Sequence, residues 1–351
     1  MGYPTQTCSS ARAAKCASRT SCCGRSRTPS CGSRRPCGPT SALRTCTGRW
    51  STFSDVAAAS VGCDVATIVP AGFLAGGARR SGLLKRLASV IVLLPIFLLI
   101  VIKAPGWMFS AVVVLASAAA LWELTRILEQ AGRPLHRRLG VVAGVAVTAA
   151  FAGSSPMAPL AFPVVALTLA AGVILAAPLG RPGPPAMAAV ANTLLVVIYV
   201  GWLLGYGILL HHTSPRGDEL VLFVVGVTWV GETAAYLVGS TLGRHPLAPL
   251  ISPRKTVEGA AAQMVASLAT GAALGAWLLP SCGGAGAILA GGVLGLVGQV
   301  GDLVESVIKR SVGTKDTGGL IPGHGGVLDR IDSLLFNLPA FYYVSALTGC
   351  R

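Results

Sequence analysis

The chain alternates long runs of Ala, Gly, Leu and Val with short polar breaks, and the length of those runs is the first clue to its fold. A helix needs about 20 largely apolar residues to cross a bilayer. Runs of this character occupy 87–102, 107–121, 139–151, 160–178, 189–210, 220–242, 260–280, 285–300 and 334–347. The pattern predicts an all-α, polytopic integral membrane protein with about nine transmembrane helices. A further apolar run, 56–78, is interrupted by Asp64 and Pro70 and is expected at the interface or in a loop.

The charges in the polar breaks alternate in a way that supports this count. Arg79, Arg80, Lys85 and Arg86 precede the first run, and later breaks on the same side hold Arg126, Arg133, Arg137 and Arg138, then Arg181, then Arg244, Arg254 and Lys255. The intervening breaks hold Lys103, nothing charged at 154–159, Arg216 offset by Asp218 and Glu219, and nothing charged at 281–284. By the positive-inside rule the N-terminal side and the segment 301–332 are expected in the cytoplasm.

Composition agrees: 53% of residues are hydrophobic and 12% charged, with mean hydropathy +0.68, where a soluble domain carries roughly 25% charged residues. The net charge of +15 is uneven, because residues 1–50 hold nine Arg or Lys and no acid. This segment is rich in Ser, Thr, Pro and Gly and has no apolar run to nucleate a core, so residues 1–80 are expected to form a disordered or non-native extension. A targeting peptide, a tail and an upstream start site are the readings left open. Nucleic-acid binding is not expected, because the basic segment lacks interleaved aromatics. Seven of the ten cysteines lie here without paired CxxC spacing. Cys63, Cys282 and Cys350 read as small apolar residues and not as a disulfide framework.

Against this background 301–332, GDLVESVIKRSVGTKDTGGLIPGHGGVLDRID, stands out, with five of the chain's thirteen acids. As a helix continuing from the eighth run, it places Asp302, Glu305, Ser306 and Lys309 at i, i+3, i+4 and i+7, on one face. Asp329 and Asp332 are again i, i+3. Two helix ends would present carboxylates across a turn rich in Gly, Pro and Lys. Carboxylates at a bilayer edge are costly unless paired or bound to a cation, and oxygen ligands of this kind suit Mg²⁺ beside substrate phosphates. Lys309, Arg310, Lys315 and Arg330 can meet phosphate oxygens. A metal–phosphate site, a set of structural salt bridges and an ion-coupled transport path all remain open from the residues alone. No convincing inverted repeat supports transport.

Two other stretches carry polar chemistry. In 228–247, TWVGETAAYLVGSTLGRHPL, Glu232 falls inside a span with Thr233 and Tyr236 nearby, a functional candidate unless a neighbouring hydroxyl satisfies it. In 251–259, ISPRKTVEG, Ser252 precedes Pro253 and is expected to cap the next helix, while Arg254 and Lys255 suit a phosphate; a basic loop would explain the charges but not the arrangement. His324, between glycines, is a phosphate or metal neighbour. His211 and His212 are expected in a loop on the opposite side.

The run 306–332 resembles the signature of the CTP:phosphatidate cytidylyltransferases, or CDP-diacylglycerol synthases: Ser-x-x-Lys-Arg, Lys-Asp, Pro-Gly-His-Gly-Gly, then Asp-Arg-x-Asp. The resemblance also takes in ISPRKTVEG and, more loosely, Trp122–Leu124, and covers about 83–348, expected to be the transmembrane cytidylyltransferase domain. It implies transfer of the cytidylyl group of CTP to phosphatidate, giving CDP-diacylglycerol and pyrophosphate for phospholipid synthesis. It implies Mg²⁺, with a second cation left open, associated with Asp302 and Asp329. Lys309, Arg310, Lys315, Asp316, His324 and Asp332 would act in catalysis, and Glu232, Tyr236, Ser252, Lys255, Thr256, Ser306 and Arg330 in substrate binding. Glu232 stands where the family commonly has Asp, which leaves its role in doubt. The implied partners are CTP, phosphatidate and membrane lipids. The expected setting is the cell inner membrane with the site facing the cytoplasm, a homodimer being left open. The patterns of CDP-alcohol phosphotransferases are absent.

Overall fold

The computed structural model describes residues 95–350 apart from 156, 181–182, 214–215, 316 and 319–324. The N-terminal extension 1–80, Cys63, the start of the first predicted span, and the candidate residues Asp316 and His324 lie outside the described residues.

Residues 95–103 are helical and lead into α1 (Gly106–Gln130), α2 (Arg137–Ala150) and α3 (Ala161–Ala176). A continuous rod follows, built of α4 (Ala186–Val196), a π-helical stretch Val197–Trp202 and α5 (Leu203–His211). Then come α6 (Gly217–Leu242), a hairpin of β1 (Pro246–Ala248) and β2 (Ser252–Thr256), α7 (Val257–Leu278), α8 (Gly283–Ser311) and α9 (Leu328–Thr348). Helices dominate because lipid offers no partner to a backbone N–H or C=O, and a helix satisfies both within one segment.

Six of the described helical segments are long and apolar enough to cross a membrane: Gly106–Gln130, Ala161–Gly180, Ala186–His211, Gly217–Thr241, Val257–Leu278 and Pro280–Ser311. The protein is thus a mostly helical, polytopic membrane protein. Of the nine expected runs, the one at 87–102 begins outside the described residues, and two others differ from the expectation for physical reasons. The run at 139–151 becomes α2, only 14 residues long, closed by a 3₁₀ turn at Phe151–Gly153. The run at 334–347 belongs to a helix that starts six residues earlier and takes Asp329, Arg330 and Asp332 into its first turns.

The helices α6, α7, α8 and α9 pack as successive antiparallel neighbours. Small residues allow close approach between α7 and α8: a methyl group on Gly271 would lie 2.8 Å from both Ala287 O and Gly291 Cα. Such contacts replace hydrophobic burial as the adhesive between helices in lipid.

Three expectations are corrected. Ser252 does not cap α7: β1 and β2 pair antiparallel, with Pro246 opposite Thr256 and Ala248 opposite Ser252. Ser252 therefore sits in a strand, and Thr256 caps α7 by accepting from Gly259 N at 3.2 Å. Cys282 and Cys350, read as apolar fillers, are joined as a disulfide between the start of α8 and the end of α9. His211 and His212 do not lie in a loop but close α5, where His211 stacks on Phe109 at 4.2 Å and His212 Nε2 lies 3.1 Å from Ser110 Oγ.

Candidate functional site: an acidic cavity at the helix ends

At 29 residues, α8 is longer than a bilayer span, so its last turns pass the apolar region while remaining helical. The i, i+3, i+7 face formed by Asp302, Glu305 and Lys309 turns into a cavity of about 680 Å³. The first turns of α9 bring Asp329 and Asp332 to the same cavity. From α6 come Glu232 and Tyr236, and from β2 come Arg254, Lys255 and Thr256. The hairpin thus positions two cations opposite the acids of α8.

One oxygen each from Asp302, Glu305 and Asp332 lies within 4.8 Å of the others. Lys255 Nζ approaches Asp302 Oδ2 at 2.6 Å. Lys309 Nζ is held at 2.7 Å from Glu305 Oε2 and 3.0 Å from Asp329 Oδ1. The second oxygen of Asp329 accepts from Gly326 N at 3.1 Å and Thr317 N at 3.3 Å. Glu305 is 1% exposed, and its Oε1 is buried with no protein partner. A buried carboxylate oxygen without a donor is costly, and a cation would satisfy it.

Charge counting points the same way. Five carboxylates line the cavity, those of Glu232, Asp302, Glu305, Asp329 and Asp332, against the three cations Arg254, Lys255 and Lys309. A cation bound among them would offset this excess of acid. The acidic triad could hold a metal ion, and hard carboxylate oxygens with room for water are the donor set that suits Mg²⁺. Asp329 and Asp332 precede the apolar part of α9 and differ electrostatically. Burial pushes the Asp329 carboxyl up, but the hydrogen bond and charge of Lys309 and the N–H of Gly326 outweigh it and hold it below its usual range. Burial, followed by the charges of Asp302, Glu305 and Glu232, pushes Asp332 well above its usual range.

The sequence-predicted residues divide clearly. Glu232, Tyr236, Lys255, Thr256, Asp302, Lys309, Asp329 and Asp332 line one cavity. Ser306 is buried on α8 beside it. Arg310 turns away: its Nε donates to Ile251 O at 3.2 Å and its guanidinium to Thr314 O at 3.3 Å, tying the hairpin to the end of α8. Ser252, Lys315 and Arg330 do not line the cavity, and Lys315 is exposed on the loop after α8. Three further residues line the cavity. Glu305 was legible from its helical phase with Asp302. Gln263 and Gln299 line the cavity from inside α7 and α8, where their only signal is an amide within an apolar run.

With this geometry in view, the comparisons with known proteins are informative. Residues 84–348 match the Cytidylyltransferase family, and the chain belongs to it. It is 41% identical over 152 residues to the uncharacterized protein YnbB of Escherichia coli (strain K12), covering 43% of this chain and 49% of that protein. It is 40% identical over 157 residues to the phosphatidate cytidylyltransferase of Staphylococcus saprophyticus, covering 42% of this chain and 56% of that protein. The protein of the same name from Staphylococcus aureus (strain COL) matches over the same lengths, at 40% identity. The chain spans about half the length of the curated relatives it matches.

Proposed function

We propose that the protein is a phosphatidate cytidylyltransferase of the cell inner membrane, with its acidic cavity facing the cytoplasm. The observation that carries this reading is the cavity itself: five carboxylates and three cations gathered at the ends of membrane-spanning helices. A lipid phosphate confined to the bilayer and a nucleotide confined to water can meet there. Two of the relatives described above bear the same activity in their names.

In the proposed reaction a phosphate oxygen of phosphatidate attacks the α-phosphorus of CTP. A bond forms between them as the bond from that phosphorus to the bridging oxygen breaks, and pyrophosphate leaves with the electron pair. The attacking phosphate is already an anion near neutral pH, so the protein's task is alignment and charge neutralisation. Lys255 and Lys309 would meet phosphate oxygens as these displace their carboxylate partners, and Arg254 would meet them beside Lys255. Asp302, Glu305 and Asp332, with Asp329 beside them, would hold Mg²⁺, which when bound neutralises charge on the nucleotide phosphates. Thr256 and Glu232 would orient substrate from the two walls, and Tyr236 from the rim. Arg310 would act by holding the hairpin, while Ser306, Arg330, Lys315, Asp316 and His324 complete the proposed set nearer the loop. Residues 83–348 would carry this activity without 1–80.

Purified protein in mixed micelles, given phosphatidate, Mg²⁺ and radiolabelled CTP, should form CDP-diacylglycerol. Asp302→Asn and Asp329→Asn should each abolish it. A folded wild-type protein that makes no product and binds no CTP would sink the reading.

A further inference from the structure

Outside the cavity, the described residues hold one more buried acid whose contacts converge on the site. Glu123, in the last third of α1, is 4% exposed. Its Oε2 accepts from Leu328 N at 3.0 Å, across 205 residues of chain. Leu328 is the first residue of α9, so its N–H has no partner within that helix. The same carboxylate packs against both ends of the glycine-rich segment. A methyl group on Gly318 would lie 3.0 Å from Glu123 Oε1, and one on Gly326 would lie 2.6 Å from Glu123 Oε2 and collide with Thr317 Oγ1. Among the described residues, Glu123 Oε1 and Thr317 Oγ1 are both buried without a partner.

This arrangement joins the base of the segment at two points. Asp329 Oδ2 collects Thr317 N and Gly326 N, and Glu123 Oε2 takes the next free amide, Leu328 N. Through Asp329 Oδ1 the tie continues to Lys309 and then Glu305. A buried carboxylate with one oxygen unsatisfied is destabilising in itself, so its presence calls for a compensating role.

We infer that Glu123 is a positioning residue for the proposed reaction: it fixes the start of α9, and with it Asp329 and Asp332, against the acids of α8. It touches no substrate and does not line the cavity. The inference rests on the cytidylyltransferase reading for its kinetic consequence, but not for its structural one. Removing the side chain should loosen Asp329 and Asp332 while Lys255 stays paired with Asp302 on α8, so turnover should suffer more than substrate affinity.

The test compares full-length wild type, Glu123→Ala, Glu123→Gln and Gly326→Ala. It measures kcat and KM for CTP and phosphatidate, thermal unfolding, and hydrogen exchange at the backbone amide of Leu328. The expected result for Glu123→Ala is a kcat lowered at least about 50-fold, each KM changed less than about threefold, and faster exchange at Leu328. Glu123→Gln keeps an acceptor for Leu328 N and offers Thr317 a donor, and should recover kcat to within about tenfold of wild type. Gly326→Ala, which displaces the carboxylate without removing it, should lower kcat like Glu123→Ala. The inference is overturned if Glu123→Ala keeps wild-type kcat and Leu328 exchange. It is overturned equally if Glu123→Gln unfolds and loses activity as fully as Glu123→Ala, which would mark a purely structural residue. A wild type that makes no CDP-lipid overturns the reaction reading separately, and Leu328 exchange in Glu123→Ala still decides the tether.

Discussion

Lys309 and Asp329 meet at 3.0 Å, bridging α8 to α9, and the same ammonium lies 2.7 Å from Glu305. One cation therefore serves two carboxylates from different helices, and both of its partners are largely buried. Replacing Lys309 with Met should strand Glu305, and breaking a buried pair in this way costs about 3–5 kcal/mol. The expected outcome is a markedly lower unfolding temperature and no measurable turnover. Lys309→Arg keeps the charge and should recover most of the stability but little activity, because a planar fork cannot replace a point charge between two carboxylates. Differential scanning fluorimetry in detergent, run with the product assay, reads both effects.

The acidic triad makes a prediction that needs no turnover. Mn²⁺, titrated into the purified protein and followed by electron paramagnetic resonance, should bind, and Mg²⁺ should displace it. Glu305→Gln and Asp332→Asn should each weaken binding by roughly tenfold or more, since ligand charge sets affinity at such sites. Equal Mn²⁺ affinity in wild type and both variants would show that the cluster is not a metal site.

A third expectation concerns the seam between α7 and α8. A Val at Gly271 has no space against the backbone of Ala287 and Gly291. Overpacking of this kind costs about 1–3 kcal/mol, so Gly271→Val should lower the unfolding temperature. Gly172→Val on α3, where nothing lies within 4 Å, should leave it unchanged.

Thr256 links stability to the site. Losing its cap on α7 should cost about 1 kcal/mol. Because Lys255 is its neighbour and reaches Asp302 at 2.6 Å, Thr256→Ala should also reduce turnover, whereas Thr256→Ser should preserve both. Unchanged kcat in the Ala variant would separate the cap from the site.

Much of this architecture was legible because lipid imposes simple rules. Run length marked the helices, and helical phase placed Asp302, Glu305 and Lys309 on one face before any coordinates. The resemblance of 306–332 pointed to the right family. What escaped were features that depend on partners distant in sequence. The pairing of Cys282 with Cys350 spans 68 residues, and nothing in either neighbourhood signals it. Arg310 sits in the signature beside Lys309, yet one residue along a helix rotates the side chain by about 100°, which sends it to the hairpin and not the cavity. Glu123 carries no signal in sequence beyond a loose three-residue match, because its role exists only once α9 stands against α1. The count of nine spans counted α2 and α9 by apolar residues alone, without weighing the shortness of one and the charged first turns of the other.

The order of the helices along the chain has a consequence for how the site comes into being. The most extensive contacts among α6, α7, α8 and α9 join sequence neighbours, and such local contacts form quickly. The hairpin cations and the acids of α8 are thus assembled as synthesis proceeds. The other two carboxylates, Asp329 and Asp332, arrive only with α9, and the Glu123–Leu328 bond must then close a loop of 205 residues. Until that moment a nascent chain carries Lys255 and Lys309 without their full complement of acids. Closing that loop is the step that brings the acids of α9 to the cations of α8 and the hairpin.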